Sequence, residues 1–358
     1  MSRLQRLLII QRLPIIQRLL IIVTVACAPF AGGAAMAQAL DAAEAETPPS
    51  GPLNIPTPTL GGTQYWTDLV LLHDWRIQQH AYTGHCRLLD DGNIRRAWGS
   101  FEHCRAVLDE TKVAQELPPL KSKVVILLHG LCSVRFAMNG MVGYLREHSD
   151  YSVLNMSYAS SKRTLVDQAD ALHSVLSHLD GVEEVNLVGH SMGNIVIRRY
   201  FARRTDPERG LTPDRRIRRI VMLGPPNKGS DMASRFDSNV LVRMVAGGAI
   251  RDLGDGWEVA ERDLAIPPCE FGVVAGDTTG AGVDNPLIPG PDDLLVGVSE
   301  TRLPRASDFL VVGVSHLFLE RDAGVQEATL RFLQHGYFRT AEARTPIPAA
   351  DDARTTRR

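Results

Sequence analysis

Metal-binding signatures are missing from this sequence. Its 358 residues hold five cysteines, no two of them in a C-x-x-C pair, and no H-E-x-x-H occurs. A structural or catalytic metal, which needs ligands at such spacings, has little support, and no cofactor is expected. An excess of charge of one sign is missing too. The 39 Lys and Arg stand against 41 Asp and Glu, a net −2, which leaves no basic face on which to argue for nucleic acid. With 44% hydrophobic and 22% charged residues the chain reads as globular, long enough for one large α/β domain or two ordinary ones.

The first 37 residues read as a segment apart from the fold. Arg3, Arg6, Arg12 and Arg18 form a basic region, and LLIIVTVACAPFAGGAAMA supplies an apolar stretch ending in small residues. Ala35-Met36-Ala37 is an A-x-A cleavage site with Gln38 as the first mature residue, the pattern of an export signal. An uncleaved membrane anchor is the alternative. Cleavage leaves 35 basic and 41 acidic residues, a net −6. Cys27 leaves with the signal. Cys86, Cys104, Cys132 and Cys269 remain, an even number that permits bridges in an oxidising compartment. Cys86 with Cys104 is the expected pair, because both lie ahead of the main domain. Cys132 and Cys269, at opposite ends of different strands, are expected to stay unbridged.

The chain divides by composition. Residues 38–62, rich in Pro, Ala and Gly, read as a flexible leader. Residues 63–118 form an N-terminal extension of ambiguous structure, where DLVLLHDWRIQQHAY suits a strand pair and RAWGSFEHCRAVLDETK a helix. From 119 to 338 short apolar strands alternate with helices: KVVILLHG, SVLNMSY, VNLVGHS, RRIVMLG, FGVVAG and DFLVVGV are the strands. Leu165, Ala169, Leu172, Leu176 and Leu179 mark one helical stripe between them. Such alternation implies an α/β fold, a mostly parallel sheet covered on both faces. Ligands then gather at the C-terminal strand ends. Residues 339–358 are polar and read as a disordered tail.

Three strand ends carry chemistry. In VNLVGHSMGNIV, Ser191 stands between Gly189 and Gly193 on a strand-to-helix turn that lifts its hydroxyl above the sheet. In LLHGLCS, His129 orients the loop after an upstream strand. The Leu131 N–H there, with the Met192 N–H after the serine, can form an oxyanion hole. In VVGVSHLFLE, His316 follows a late strand as a candidate general base. His190 reads as a buried structural imidazole. The acid that orients His316 lies among Asp277, Asp292 and Asp293, and the last two are adjacent carboxylates after a turn, an arrangement that packing alone would not favour.

Together these segments resemble the α/β-hydrolases of the bacterial lipase/esterase type over roughly residues 120–338. GPPNKGSDM, FGVVAGD and the span from PGPDDLLVGV to VVGVSHLF each resemble stretches of that group. The resemblance implies an α/β-hydrolase fold, and aligning on Val296 puts Asp293 at the acid position. Asp292 and Asp277 stay as alternatives. Leu294 departs from the pattern, since glycine is common there. Residues about 228–268 read as a small cap or lid, with Asn227, Lys228 and Ser230 able to hold the loop near the site. The implied function is a serine hydrolase of carboxylic esters acting on acyl-ester or lipid substrates, with contact to a lipid surface possible and the oligomeric state open. An acyltransferase with the same triad and a non-catalytic binding protein on the same scaffold are the alternatives.

Overall fold

The computed structural model describes residues 55–205, 211–228 and 264–349. The expected export signal, most of the leader, Ser230, most of the cap segment and the last nine residues lie outside them. Among the described residues no helix is long and apolar enough to cross a membrane.

The N-terminal extension is a five-stranded antiparallel sheet with one helix. Its strands are β1 (Thr57–Pro58), β2 (Trp66–Leu72), β3 (Trp75–His80), β4 (Cys86–Leu89) and β5 (Ile94–Gly99), in the order β1-β5-β4-β3-β2, followed by α1 (Phe101–Ala114). The flexible leader therefore ends before residue 62, because Thr57 and Pro58 already pair with Arg95 and Ile94. The stretch expected to be wholly helical is split: Ile94–Gly99 is a strand, and the helix starts only after Ser100, whose hydroxyl accepts from the His103 N–H. That capping bond marks the start of α1 because the first turn of a helix has no partners of its own for its N–H groups.

None of the four described cysteines forms a disulfide. The expected Cys86–Cys104 bridge is not made, although β4 and α1 bring both thiols into one apolar cluster. Burial pushes the Cys86 thiol up to about 11 and Cys104 up to about 12. Both are therefore inert core residues, with almost no thiolate to start exchange.

The main domain follows as β6 (Lys123–Leu128), α2 (Asn139–His148), β7 (Ser152–Met156), α3 (Leu165–Ser177), β8 (Glu184–His190), α4 (Met192–Arg204), β9 (Ile217–Leu223), β10 (Glu270–Gly276), the one-turn α5 (Val298–Thr301), β11 (Asp308–Val312) and α6 (Ala323–His335). The six strands form one sheet in the order β11-β10-β9-β8-β6-β7, every pair parallel. The unbroken apolar runs have a direct reason. On β6, Val124, Ile126 and Leu128 join a core with α1, α3 and α4, while Val125 and Leu127 join a second core with α2 and α6. Successive side chains of a strand point to opposite faces, so a strand covered on both sides must be apolar at every position.

The tail expected to be disordered packs back as far as residue 349. The Asp308 carboxylate, at the start of β11, accepts the N–H groups of Phe338 and Thr345, and Ile347 exchanges main-chain bonds with Arg305 and Ala306. Composition misleads here because the segment is fixed by backbone pairing and needs little apolar surface of its own.

Candidate active site

Ser191 occupies the link between β8 and α4 with φ 53° and ψ −123°, a left-handed geometry costing about 1–3 kcal/mol for a residue with a side chain. The surroundings hold it there. Its N–H donates to Leu223 O at 2.9 Å, and the Asn194 side-chain amide donates to Ser191 O at 3.1 Å. Gly193 is required by the close approach of β6: a β-carbon there would stand 2.5 Å from Leu128 O. The turn leaves Ser191 half-buried at the N-terminus of α4, whose peptide dipoles favour negative charge.

The loop after β6 passes directly over this turn, since a β-carbon on Gly130 would lie 3.1 Å from the Ser191 β-carbon. His129 Nδ1 donates to Gly130 O at 2.9 Å, and the ring stacks on Tyr158 with centroids 4.2 Å apart. The Gly130–Leu131 peptide is planar and trans, so tethering its carbonyl to His129 turns the Leu131 N–H to the opposite side. Burial lowers His129 to about 4, which keeps the ring neutral and its orienting bond constant. Among the described residues, neither the Leu131 nor the Met192 N–H donates to the main chain or to a side chain.

His316 begins a short 3-10 turn (His316–Phe318) after β11. Its Nδ1 donates to Asp293 Oδ2 at 2.7 Å, and its main-chain N–H donates to Asp293 O at 2.9 Å. Burial alone would lower the His316 pKa, but the charge and hydrogen bond of Asp293, helped by the charge of Glu320, outweigh it and raise the value above 6.5. The ring lies against the end of β9, where a β-carbon on Gly224 would stand 3.0 Å from Nδ1. Ser191 bonds to Leu223, the preceding residue. Serine and imidazole thus flank one strand end, though no hydrogen bond joins them in this structure; such bonds often tighten only when substrate is present.

The three candidate acids separate cleanly. Asp293 meets His316. Asp292 turns the other way and caps its own loop, accepting from the N–H groups of Leu294 at 2.7 Å and Asn285 at 3.2 Å. Asp277 closes a local turn on Thr279. Leu294, where glycine is common in the resembling proteins, has a φ of 81°, so the backbone shape persists with a side chain present.

Two further residues were not legible in the sequence as part of this site. His190 Nε2 donates to His316 O at 2.9 Å. Glu320 is buried beside it, with Oε2 3.9 Å from the same nitrogen. On the other side of the serine helix, Arg198 donates to Asn227 O and Oδ1 and to Ala265 O, holding the two described edges of the 229–263 segment. Asn227 and Lys228 are fastened in turn to Thr301 O and Glu300 O. Among the described residues no group of three or more His, Cys, Asp or Glu side chains is arranged to hold a metal ion.

Residues 124–230 match a protein family described as "Alpha/beta hydrolase of unknown function (DUF915)". No curated protein matches the sequence. Among solved structures, a lipase of Bacillus licheniformis in its mature form is 17% identical, with a TM-score of 0.45, and the match covers 61% of this chain and 93% of that one. A phospholipase of Legionella pneumophila is 15% identical, with a TM-score of 0.44, covering 58% and 57%. A Listeria innocua protein is 16% identical, with a TM-score of 0.42, covering 60% and 95%. With the parallel sheet in this strand order and the strained serine turn after β8, the described residues have an α/β-hydrolase fold, and the family match runs across β6 to β9.

Proposed function

We propose that this protein is a serine hydrolase of carboxylic esters, with Ser191 as nucleophile, His316 as general base and Asp293 as its orienting acid. The observation that carries the reading is the 2.7 Å bond from His316 Nδ1 to Asp293. It fixes the tautomer that leaves Nε2 free to accept a proton. His316 takes the Ser191 proton as Oγ attacks the ester carbonyl. The developing oxyanion is received by the Leu131 and Met192 N–H groups, which have no other partner among the described residues. Imidazolium then protonates the leaving alkoxide. Water, deprotonated by the same ring, releases the acid from the acyl-enzyme. Acyl-ester or lipid substrates fit this chemistry, and residues 1–37 would export the enzyme, which N-terminal sequencing of the mature protein tests.

The direct test is a panel of aryl and glyceryl esters of graded acyl length together with a fluorophosphonate probe. Wild type should cleave at least one ester and become labelled. Ser191→Ala should lose labelling and retain no more than a small residual rate, a drop on the order of 10⁴-fold or more. Equal labelling of the two proteins would rule the assignment out.

A further inference from the structure

Asp293 is not alone among carboxylates buried against His316. Glu320 lies four residues further on, 2% exposed, and its Oε2 has no hydrogen-bond partner among the described residues. Burial pushes the Glu320 carboxyl above its usual range, opposed by its own main-chain N–H and by the charges of Arg321 and His316, and a fold built for stability alone would replace such a group or pair both its oxygens. This one faces the imidazole relay behind Ser191. His190 Nε2–H lies 2.9 Å from His316 O and 3.9 Å from Glu320 Oε2. The His190 and His316 ring centroids are 4.9 Å apart.

We propose that Glu320 is a positioning residue of the site: it polarises the His190 N–H that holds the His316 main chain, and its charge favours the imidazolium that forms when Ser191 gives up its proton. The proposal rests on the hydrolase reading above and adds a second carboxylate to it. No proton passes to Glu320 itself.

Among the described residues, the charged and titratable groups around the pair are few. Asp293 faces His316 from the acid loop, and His190 and His129 face it from the ends of β8 and β6. Burial, and for His190 the neighbouring His316, pushes these two rings down to about 3 and about 4. His190 is thus neutral, and its contact with Glu320 is between an N–H dipole and a charge, not an ion pair. Arg321 Nε is 3.4 Å from Glu320 Oε1, but that guanidinium is 57% exposed and screened by water. The helices packed against this turn meet it through Gly140 and Gln326, which carry no charge. Among the described residues, Asp293 and Glu320 are therefore the two carboxylates whose fields reach the ring through protein. His190 also fills the space beneath the oxyanion loop, with its Nδ1 3.6 Å from where a β-carbon on Gly130 would stand. The same relay thereby supports base and oxyanion loop together.

The test compares wild type with Glu320→Gln, which keeps shape and an acceptor but loses charge, and Glu320→Asp, which keeps charge. Three readouts are taken: the pH dependence of kcat/KM on the best ester, the His316 ring titration by NMR, and Tm. In Glu320→Gln the acid limb and the ring titration should both move to lower pH. Plateau kcat should fall by about 3- to 10-fold with KM unchanged, and Tm should not drop, because a buried charge has been removed. Glu320→Asp should keep the limb near its wild-type position. A purely structural glutamate would instead lower Tm and leave limb and titration in place, and that outcome overturns the proposal. So does an equal downward movement in both variants. The NMR titration needs no turnover, so the two readings fail separately. If the ring shifts while no ester is cleaved, the hydrolase reading is lost and the coupling stands; if esters are cleaved and neither limb nor ring moves, the coupling alone is lost.

Discussion

Asp292 and Asp293 are both fully buried and adjacent, yet their environments assign them different work. Asp293 divides its oxygens: Oδ2 takes the His316 ring, and Oδ1 accepts the N–H groups of Leu295 at 3.1 Å and Val296 at 2.7 Å. Asp292 spends its oxygens on loop amides. Its carboxyl is pushed up by burial, against those amide bonds, and up again by the charges of Asp293 and Asp284. Asp293→Asn should lower kcat/KM by about 10³- to 10⁴-fold, whereas Asp292→Asn should cost mainly stability. Steady-state kinetics on folded variants, with melting curves alongside, separates the two. In the proposed mechanism His316 must be neutral to accept a proton. Because its pKa is raised above 6.5, wild-type kcat/KM should fall as the pH drops through a midpoint above that value. Any residual activity of Asp293→Asn should have its midpoint lower.

At the scale of elements, the N-terminal sheet shows why residues 63–118 were hard to read. On β3, Trp75 to Gln78 are all buried, with Arg76 and Gln78 pointing into the protein on one face. A strand that buries polar side chains has no apolar alternation to detect. Those side chains form a network: Asp68 Oδ1 accepts from the Gln78 amide at 2.8 Å and lies 3.8 Å from Arg76 Nε, and Gln78 Oε1 accepts from Arg87. Burial lowers Arg76 to about 10, opposed by the Asp68 charge. Asp68 Oδ2 also accepts the Ser157 N–H at 2.6 Å, joining the sheet to the end of β7, next to the Tyr158 that stacks on His129. Asp68→Ala takes the nearest carboxylate from a buried guanidinium that keeps Asp74 O and Asn93 Oδ1 as acceptors, and breaking a buried pair costs up to about 3–5 kcal/mol. Urea unfolding should show that loss. The melting point should fall with it, and ester turnover should weaken through the displaced His129 loop.

For the whole molecule, the order of the sheet does the assembling. Ser191, His316 and Asp293 come from segments more than 100 residues apart at the extremes, and they converge because β8, β9, β10 and β11 are neighbours with their C-terminal ends aligned. The opposite ends carry stability. Asp308 opens β11 and anchors the returning tail through Thr345 and Phe338. Truncation after Phe338 should therefore lower stability by about 1–3 kcal/mol, the cost of leaving a buried acceptor short of donors. It should leave kcat/KM of the folded fraction unchanged, because the tail lies at the strand starts and the proposed site at the strand ends. Thermal melting and active-site titration of the truncated chain check both halves.

What the sequence by itself determined was local. Apolar runs marked the six parallel strands, small residues around Ser191 marked the strained turn, and order along the chain marked His316 as the candidate base, because each signal is written within a few residues. Tertiary structure alone decided which of two adjacent aspartates meets the ring, that Cys86 and Cys104 stay as thiols, that the tail is pinned by Asp308, and that Glu320 stands behind His190. Those outcomes depend on desolvation and on partners supplied from distant segments, and neither quantity exists until the chain has folded.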